Sequence, residues 1–229
     1  MLFVVHAAES QGWPPSVQRY LELLQIVESS PEPVSLESLF EAATQVQDTA
    51  MLIEGDQAWL ESLSDSDFHA LSQALRGLRL ARGYDVYAQP DPEFLYQLAL
   101  AHGHATDRAF FALYRRSWGD DLIPTYLRLT SRIAPCVRFD EGIIPELYLG
   151  WISFRRERPY SYQSYAEQSV KDLEEVVEFG TCACGGADSV EHELSSFLQQ
   201  FPRSPAVPGV LARLQQLEDD PDRRPVQCR

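Results

Sequence analysis

Residues 14–27 read PPSVQRYLELLQIV, and the apolar side chains among them recur with the period of an α-helix. Two prolines stand where a helix would begin, because proline fits the first helical turn. The apolar residues then follow the spacing that places them on one helix face: Val17, Tyr20, Leu21, Leu24 and Val27. This one-sided pattern predicts an amphipathic helix that packs against other helices.

Similar periodic segments follow along the chain, each between a start and a stop signal. Ser35 is expected to cap a second helix, Ser64 and Asp67 form a capping-box pattern, and Asp91 with Pro92 marks another helix start. No strand pattern exceeds a few residues. The sequence predicts an all-α fold, an irregular bundle of about nine to ten helices, with degenerate helical-repeat pairs as the alternative arrangement.

Further helix boundaries are expected from glycine, proline and aspartate. Gly83 is a candidate C-cap, and Asp188 is a candidate N-cap. A helix is expected to start near residues 120–125, at Asp120-Asp121 or at Ile123-Pro124-Thr125. With 45% hydrophobic residues in 229, the chain can fill a core. We expect one domain over residues 1–229, with 218–229 a loosely held tail.

The formal net charge is −15, and it is unevenly distributed. Residues 1–60 contribute −8, whereas residues 109–160 contribute +2. Such a field repels phosphate backbones and anionic lipid, so we expect neither nucleic acid nor membrane as partner. The arginines of residues 109–160 are expected to form intramolecular salt bridges. Nearly all the positive charge is arginine, since Lys171 is the only lysine, a composition typical of a GC-rich bacterial source.

The acidic N-terminal third is the first candidate functional surface. Its carboxylates lie on or beside the two early helices and would suit a basic protein partner, although a merely solvated face is the alternative. The partner-binding candidates are Glu22, Glu28, Glu37, Glu41, Asp48, Glu54 and Asp56.

Four cysteines form the second candidate set: Cys136, Cys182, Cys184 and Cys228. In an oxidising compartment they permit two disulfides, and a bond within the close pair at 182 and 184 would be strained, which favours long-range pairs. In the cytoplasm they would be thiols, or Cys136, Cys182 and Cys184 could bind zinc with His192. The chain as written is expected to be cytoplasmic. Residues 5–7, Val-His-Ala, have cleavage-site spacing, so a periplasmic protein with a signal peptide upstream of Ala7 is the alternative.

No motif of an enzyme stands out. The chain carries no nucleophile elbow, P-loop or dinucleotide-binding glycine pattern. His192 follows Glu191 and precedes Glu193 but lacks the second histidine of the zinc-protease motif. His102 and His104 are more typical of solvated helix-end residues than of ligands. We therefore expect no enzyme activity, no catalytic residues and no cofactor.

Five segments between Phe94 and Pro202 occur in an order that resembles a group of proteobacterial all-α proteins without an assigned activity: LALAHG at 98–103, TDRAFF at 106–111, IPTY at 123–126, CVRF at 136–139 and TCACG at 181–185. Small acidic proteins of this type are often immunity partners of secreted antibacterial toxins. The resemblance implies an immunity protein that neutralises a basic toxin domain. A helical adaptor for a peptide or protein partner, and a metal-dependent protein with a Cys/His site, are the alternatives.

Overall fold

The computed structural model describes residues 12–54, 57–83, 86–129, 135–180 and 182–219. Within these ranges the chain is mostly helical, which confirms the all-α prediction. The helices of the described part are α1 (Pro15–Ser29), α2 (Glu37–Ala50), α3 (Trp59–Ser62), α4 (Asp65–Ala74), α5 (Pro92–His102), α6 (Ala105–Ser117), α7 (Ile143–Glu157), α8 (Gln163–Phe179), α9 (Ala187–Gln200) and α10 (Val207–Asp219).

Three antiparallel pairs of short strands accompany these helices in the same ranges. The pairs are β1 (Ile53–Glu54) with β2 (Gln57–Ala58), β3 (Leu78–Ala81) with β4 (Tyr87–Pro90), and β5 (Leu127–Leu129) with β6 (Pro135–Val137). Each pair is too short to form a core of its own, because a two-stranded ribbon buries little apolar surface.

Contacts between residues divide the chain into two compact units, Met1–Phe111 and Ala112–Arg229. We call them unit 1 and unit 2, and the division falls inside α6. The prediction of one domain over residues 1–229 stays a prediction. Glu218 and Asp219, expected in the loose tail, instead belong to α10, and residues 220–229 lie outside the described residues.

In unit 1, α1 packs against α2, and α2 packs against α3 and β4. The predicted stripe of α1 forms the contact: Val17, Tyr20, Leu24 and Val27 are buried. The hydroxyl of Tyr20 donates a hydrogen bond to the carbonyl of Arg76, at 2.6 Å. The helix therefore buries its aromatic side chain without leaving the phenol unsatisfied.

Two predicted helix starts are confirmed by their hydrogen bonds. Ser64 Oγ accepts from the backbone N–H of Asp67 at 3.1 Å. Asp91 accepts from the N–H groups of Glu93 and Phe94 at 3.0 and 3.1 Å. These short-range caps could be predicted because all the participating atoms lie within one turn of sequence.

The start of α2 is different, because a distant carboxylate caps it. Leu36 is the N-cap residue, and its N–H donates to Asp107 Oδ1 at 3.0 Å. Asp107 Oδ2 accepts from the N–H of His104 at 2.8 Å, at the beginning of α6. Ser35, the predicted cap, accepts only a longer bond from Glu37 N at 3.3 Å. One carboxylate that is 2% exposed thus joins two helix starts.

The prediction of Gly83 as a helix C-cap is wrong. Helix α4 ends at Ala74, and the chain turns at Gly77, whose φ is +85°. A Cβ at Gly77 would lie 2.5 Å from the Phe94 ring, so the turn needs glycine for both its backbone angle and its space. Strand β3 follows this turn.

Two other predicted boundaries in unit 2 are also wrong. No helix starts in the described segment 120–129. The backbone N–H of Gly119 donates to the carbonyl of Ile123 at 2.8 Å, and Trp118 forms an isolated antiparallel β-bridge with Pro124. Leu122 has a φ of +61°, which an α-helix does not accommodate. The N-cap of α9 is Gly186 instead of Asp188.

In unit 2, α8 packs against α7 and α10, and α10 packs against α9.

Replacing Asp107 by alanine should lower the free energy of unfolding by about 3 kcal/mol, because the buried N–H of Leu36 and the partly buried N–H of His104 lose a charged acceptor. Urea unfolding of the full chain, followed by circular dichroism, measures this change. Asp48→Ala, at an exposed carboxylate of α2, is the matched control and should change it by about 0.5 kcal/mol or less. Equal effects of the two substitutions would contradict a capping role for Asp107.

Candidate functional site

Three of the predicted partner-binding residues share one face of α2. A helix turns about 100° per residue, so Glu37, Glu41 and Asp48 fall within about 40° of one another around the axis. The buried side of α2, which includes Leu39 and Val46, lies opposite. The three carboxylates, which we call the acidic stripe, extend over about 16 Å of helix.

The acidic stripe ends beside exposed apolar side chains. Met51 and Leu52 directly follow α2, and their exposures are 51% and 58%. Glu41 and Asp48 are themselves exposed and form no ion pair with the described residues. Protein interfaces commonly combine charged groups at the rim with apolar contacts. Exposed carboxylates and exposed apolar side chains thus lie together at the end of α2.

Two of the other four predicted partner-binding residues, Glu22 and Glu28, lie on α1 instead of the stripe. Glu28 forms a hydrogen-bonded ion pair with Arg76. Glu22 lies on α1, at 3.9 Å from Arg19, and its side chain faces away from the buried side of that helix. The side chain of Glu54 and the whole of Asp56 lie outside the described residues.

The sequence of unit 1 carries a strong negative charge in addition to the stripe. It contains sixteen acidic and five basic residues, a net charge of −11, whereas unit 2 has −4. Helices α1 and α2 together contain a single basic residue, Arg19. A field of this sign attracts a basic partner from a distance and is screened by salt.

Five of the nine described arginines of unit 2 form ion pairs within that unit. Arg116 pairs with Glu146, Arg155 with Glu167 and Arg158 with Glu157. Arg128 and Arg138 both bind Glu141, and the hydrogen bond from Arg138 is the main cause that lowers the pKa of that carboxyl. These pairs agree with the expected intramolecular salt bridges, and Arg132 lies outside the described residues. As exposed pairs they stabilise the fold only slightly.

The three cysteines that the structure describes form disulfides. Cys136 of β6 is bonded to Cys184, with a sequence separation of 48. Backbone hydrogen bonds hold the two segments together: Val137 N donates to Cys182 O at 2.7 Å, and Cys184 N donates to Val137 O at 2.8 Å. Cys182 is disulfide-bonded as well, and Cys228 lies outside the described residues. The segment before α9 is thereby fixed to the strand pair β5–β6.

The alternative of a zinc site at Cys136, Cys182, Cys184 and His192 is wrong for this structure. A sulfur in a disulfide has no thiolate to offer a metal, and all three cysteines are oxidised. His192 hydrogen-bonds to Asp140 through Nδ1 instead. Within the described residues no group of three or more histidine, cysteine or carboxylate side chains could hold a metal ion.

Beside His192 lies a buried carboxylate that the sequence did not single out. Glu193 is 3% exposed, and its Oε2 accepts from the N–H of Asp140 at 2.9 Å. Burial is the main cause that raises its pKa, and a hydrogen bond from the backbone of Gly142, the N-cap of α7, opposes the shift. Its Oε1 has no partner among the described residues. The position of Glu193, three residues after buried Val190, was the available signal, because that spacing places it on the apolar face.

His192, Asp140 and Glu193 are neighbours that differ in their exposure to solvent. The side chains of His192 and Asp140 are 73% and 47% exposed, and Glu193 is used to hold the turn before α7. Among the described residues no serine, threonine or cysteine hydrogen-bonds to His192, as a nucleophile would. His102 and His104 also act through their backbones: the His102 carbonyl accepts from Val34 N, and His104 N donates to Asp107.

The chain matches no family model, no curated protein and no solved structure. Among the described residues no helix has the length and apolar character that crossing a membrane requires.

The double substitution Cys136→Ala/Cys184→Ala should lower the free energy of unfolding by about 4 kcal/mol, because the unfolded chain would no longer be constrained by a loop of this length. Urea unfolding measures the change. Mass spectrometry of non-reduced peptides should show residues 136 and 184 linked in the wild-type protein. Alkylation of Cys136 in protein exported to the bacterial periplasm would contradict the disulfide.

Replacing Glu193 by glutamine should alter the pH dependence of stability. Because the folded pKa of Glu193 lies above its ordinary value of 4.5, the folded protein retains a proton that the unfolded chain releases between these two values. The contribution of Glu193 to the free energy of unfolding therefore falls as pH rises from 4.5 through the folded pKa. Glu193→Gln should remove that decline, whereas Glu175→Gln, at an exposed residue of α8, should preserve it. Parallel unfolding curves from pH 4 to 8 test this, and identical profiles for both variants and wild type would contradict it.

Proposed function

We propose that this protein is a bacterial immunity protein that binds a cognate secreted toxin and neutralises it by covering its active site. The observation that carries the proposal is the acidic stripe of Glu37, Glu41 and Asp48 beside exposed Met51 and Leu52. The carboxylates would meet the basic groups of the toxin, and the two apolar side chains would supply contacts that exclude water.

The charge of unit 1 supports fast and specific association. An inhibitor must reach its toxin before the toxin reaches its target, and a net charge of −11 in unit 1 accelerates encounter with a basic protein. The field also disfavours nucleic acid and anionic lipid as competing partners. The protein would act by binding alone, without a catalytic step.

The disulfides support the periplasm as the site of action. Disulfides persist in oxidising compartments and are reduced in the bacterial cytoplasm, and Cys136, Cys182 and Cys184 are all oxidised. We therefore prefer the periplasm to the cytoplasm. A toxin met there would attack the cell wall or the membrane lipids.

Neutralising the acidic stripe should weaken binding of the toxin. We expect Glu37→Gln/Glu41→Gln/Asp48→Asn to lower the association rate constant by about tenfold at low salt, because the three charges steer the encounter. The partner is first captured with the tagged protein from the host periplasm and identified by mass spectrometry. Surface plasmon resonance at low and high salt then measures the rate constants.

The matched control removes the same charge from unit 2: Glu175→Gln/Glu218→Gln/Asp219→Asn. All three of these carboxylates are exposed, and the control should retain the rate constant within about twofold. A single basic protein at a one-to-one ratio, weakened by the stripe variant alone, supports the proposal. Several unrelated partners, no partner, or equal effects of the two variants would contradict it.

A further inference from the structure

Unit 2 contains a small pocket walled by aromatic side chains. Its volume is about 70 Å³. Trp118 directly follows α6, and Tyr126 directly precedes β5. Trp151 lies on α7, and Tyr165 and Asp172 lie on α8. Trp151 is 1% exposed, whereas Trp118, Tyr126 and Asp172 are half-buried. The pocket therefore has a closed aromatic floor and a partly exposed rim.

Hydrogen bonds within the protein hold the aromatic walls in place. The indole N–H of Trp118 donates to the hydroxyl of Tyr165 at 2.9 Å. The indole N–H of Trp151 donates to Ser117 Oγ at 3.1 Å, and the rings of Trp151 and Tyr165 lie 5.6 Å apart between centroids. Because both indole N–H groups already have partners, the two rings contribute apolar surface to the pocket instead of hydrogen-bond donors.

One carboxylate completes the lining. Asp172 Oδ1 accepts from Gln168 Nε2 at 2.7 Å, and no basic side chain of the described residues pairs with Asp172. Its charge acts on both tyrosines of the pocket, adding to the burial that raises the pKa of Tyr126 to about 12 and also raises the pKa of Tyr165. Both phenols therefore stay neutral at physiological pH, and the pocket carries one negative charge.

We propose that this pocket binds a methylated ammonium group. The faces of tryptophan and tyrosine attract such cations through the ring quadrupole, and several rings around one site form the aromatic cage that recognises them. Asp172 adds a charge of the complementary sign and excludes anions. The rim of the pocket is partly exposed, so the rest of the molecule that carries the ammonium group can remain in solvent.

The group has two possible sources with the same chemistry. It is either a free small cation such as choline, or a methylated lysine side chain on a protein. The proposal does not depend on the immunity function, because the pocket lies within unit 2 and the acidic stripe lies within unit 1.

Nuclear magnetic resonance of the indole N–H groups of the full chain tests the proposal. The chain has four tryptophans, so Trp118 and Trp151 report on the pocket, while Trp13 and Trp59 serve as internal controls. The probes are tetramethylammonium, choline, 3,3-dimethylbutan-1-ol as the neutral analogue of choline, and a short peptide with trimethyl-lysine or with unmodified lysine. The cations should shift the Trp118 and Trp151 signals and leave the other two unchanged.

Isothermal titration calorimetry of three variants separates the effect of the charge from the effect of the aromatic wall. Asp172→Asn should weaken choline binding by about tenfold, since it removes the charge and retains an acceptor for Gln168. Glu175→Gln, an exposed position on the same helix, should leave it unchanged. Tyr126→Leu should also weaken binding by removing one aromatic wall, and thermal unfolding verifies that each variant is folded.

Tighter binding of the trimethyl-lysine peptide than of choline assigns a protein source, and the reverse order assigns a free cation. The proposal is overturned if the neutral analogue binds as well as choline, if Asp172→Asn binds as well as wild type while folded, or if no cation shifts the Trp118 and Trp151 signals. An unchanged spectrum would mean that the pocket is only a packing space between helices.

Discussion

Buried carboxylates at helix starts are the constraint on which both units depend. The first turn of a helix leaves backbone N–H groups without helical partners, and inside a protein these groups need an acceptor. Asp107 supplies it for α2 and α6 in unit 1. Glu193 supplies it for the turn before α7 in unit 2. In each unit one side chain therefore fixes where segments far apart in sequence meet.

The two units differ in how they use charge. Of the nine arginines of unit 2 that the structure describes, five form ion pairs with glutamates, such as Arg138 with Glu141. Unit 1 has few basic residues. Glu41 and Asp48 of α2 form no ion pair with the described residues. Charge that a fold does not neutralise internally is available to a partner. This difference supports the proposal of an interaction surface in unit 1.

The disulfide changes how the chemistry of unit 2 is understood. Cysteines beside histidine and carboxylates would ordinarily suggest a metal site, but Cys136 and Cys184 are bonded to each other. They join the segment before α9 to β6 and so position the helix that carries Glu193. The cysteines and Glu193 of this region thus serve the fold, whereas the proposed binding pocket of unit 2 is lined by other residues, among them Trp118 and Asp172.

The sequence by itself determined the helical class, the buried stripe of α1 and the caps at Ser64 and Asp91, because these depend on residues within one or two turns of each other. It also identified the carboxylates of α2, since their spacing places Glu37, Glu41 and Asp48 on one face. Only the tertiary structure decided the pairing of Cys136 with Cys184, the capping of α2 by Asp107 and the assembly of the pocket. Each of these joins residues distant in the chain, and local periodicity contains no information about which distant segments meet.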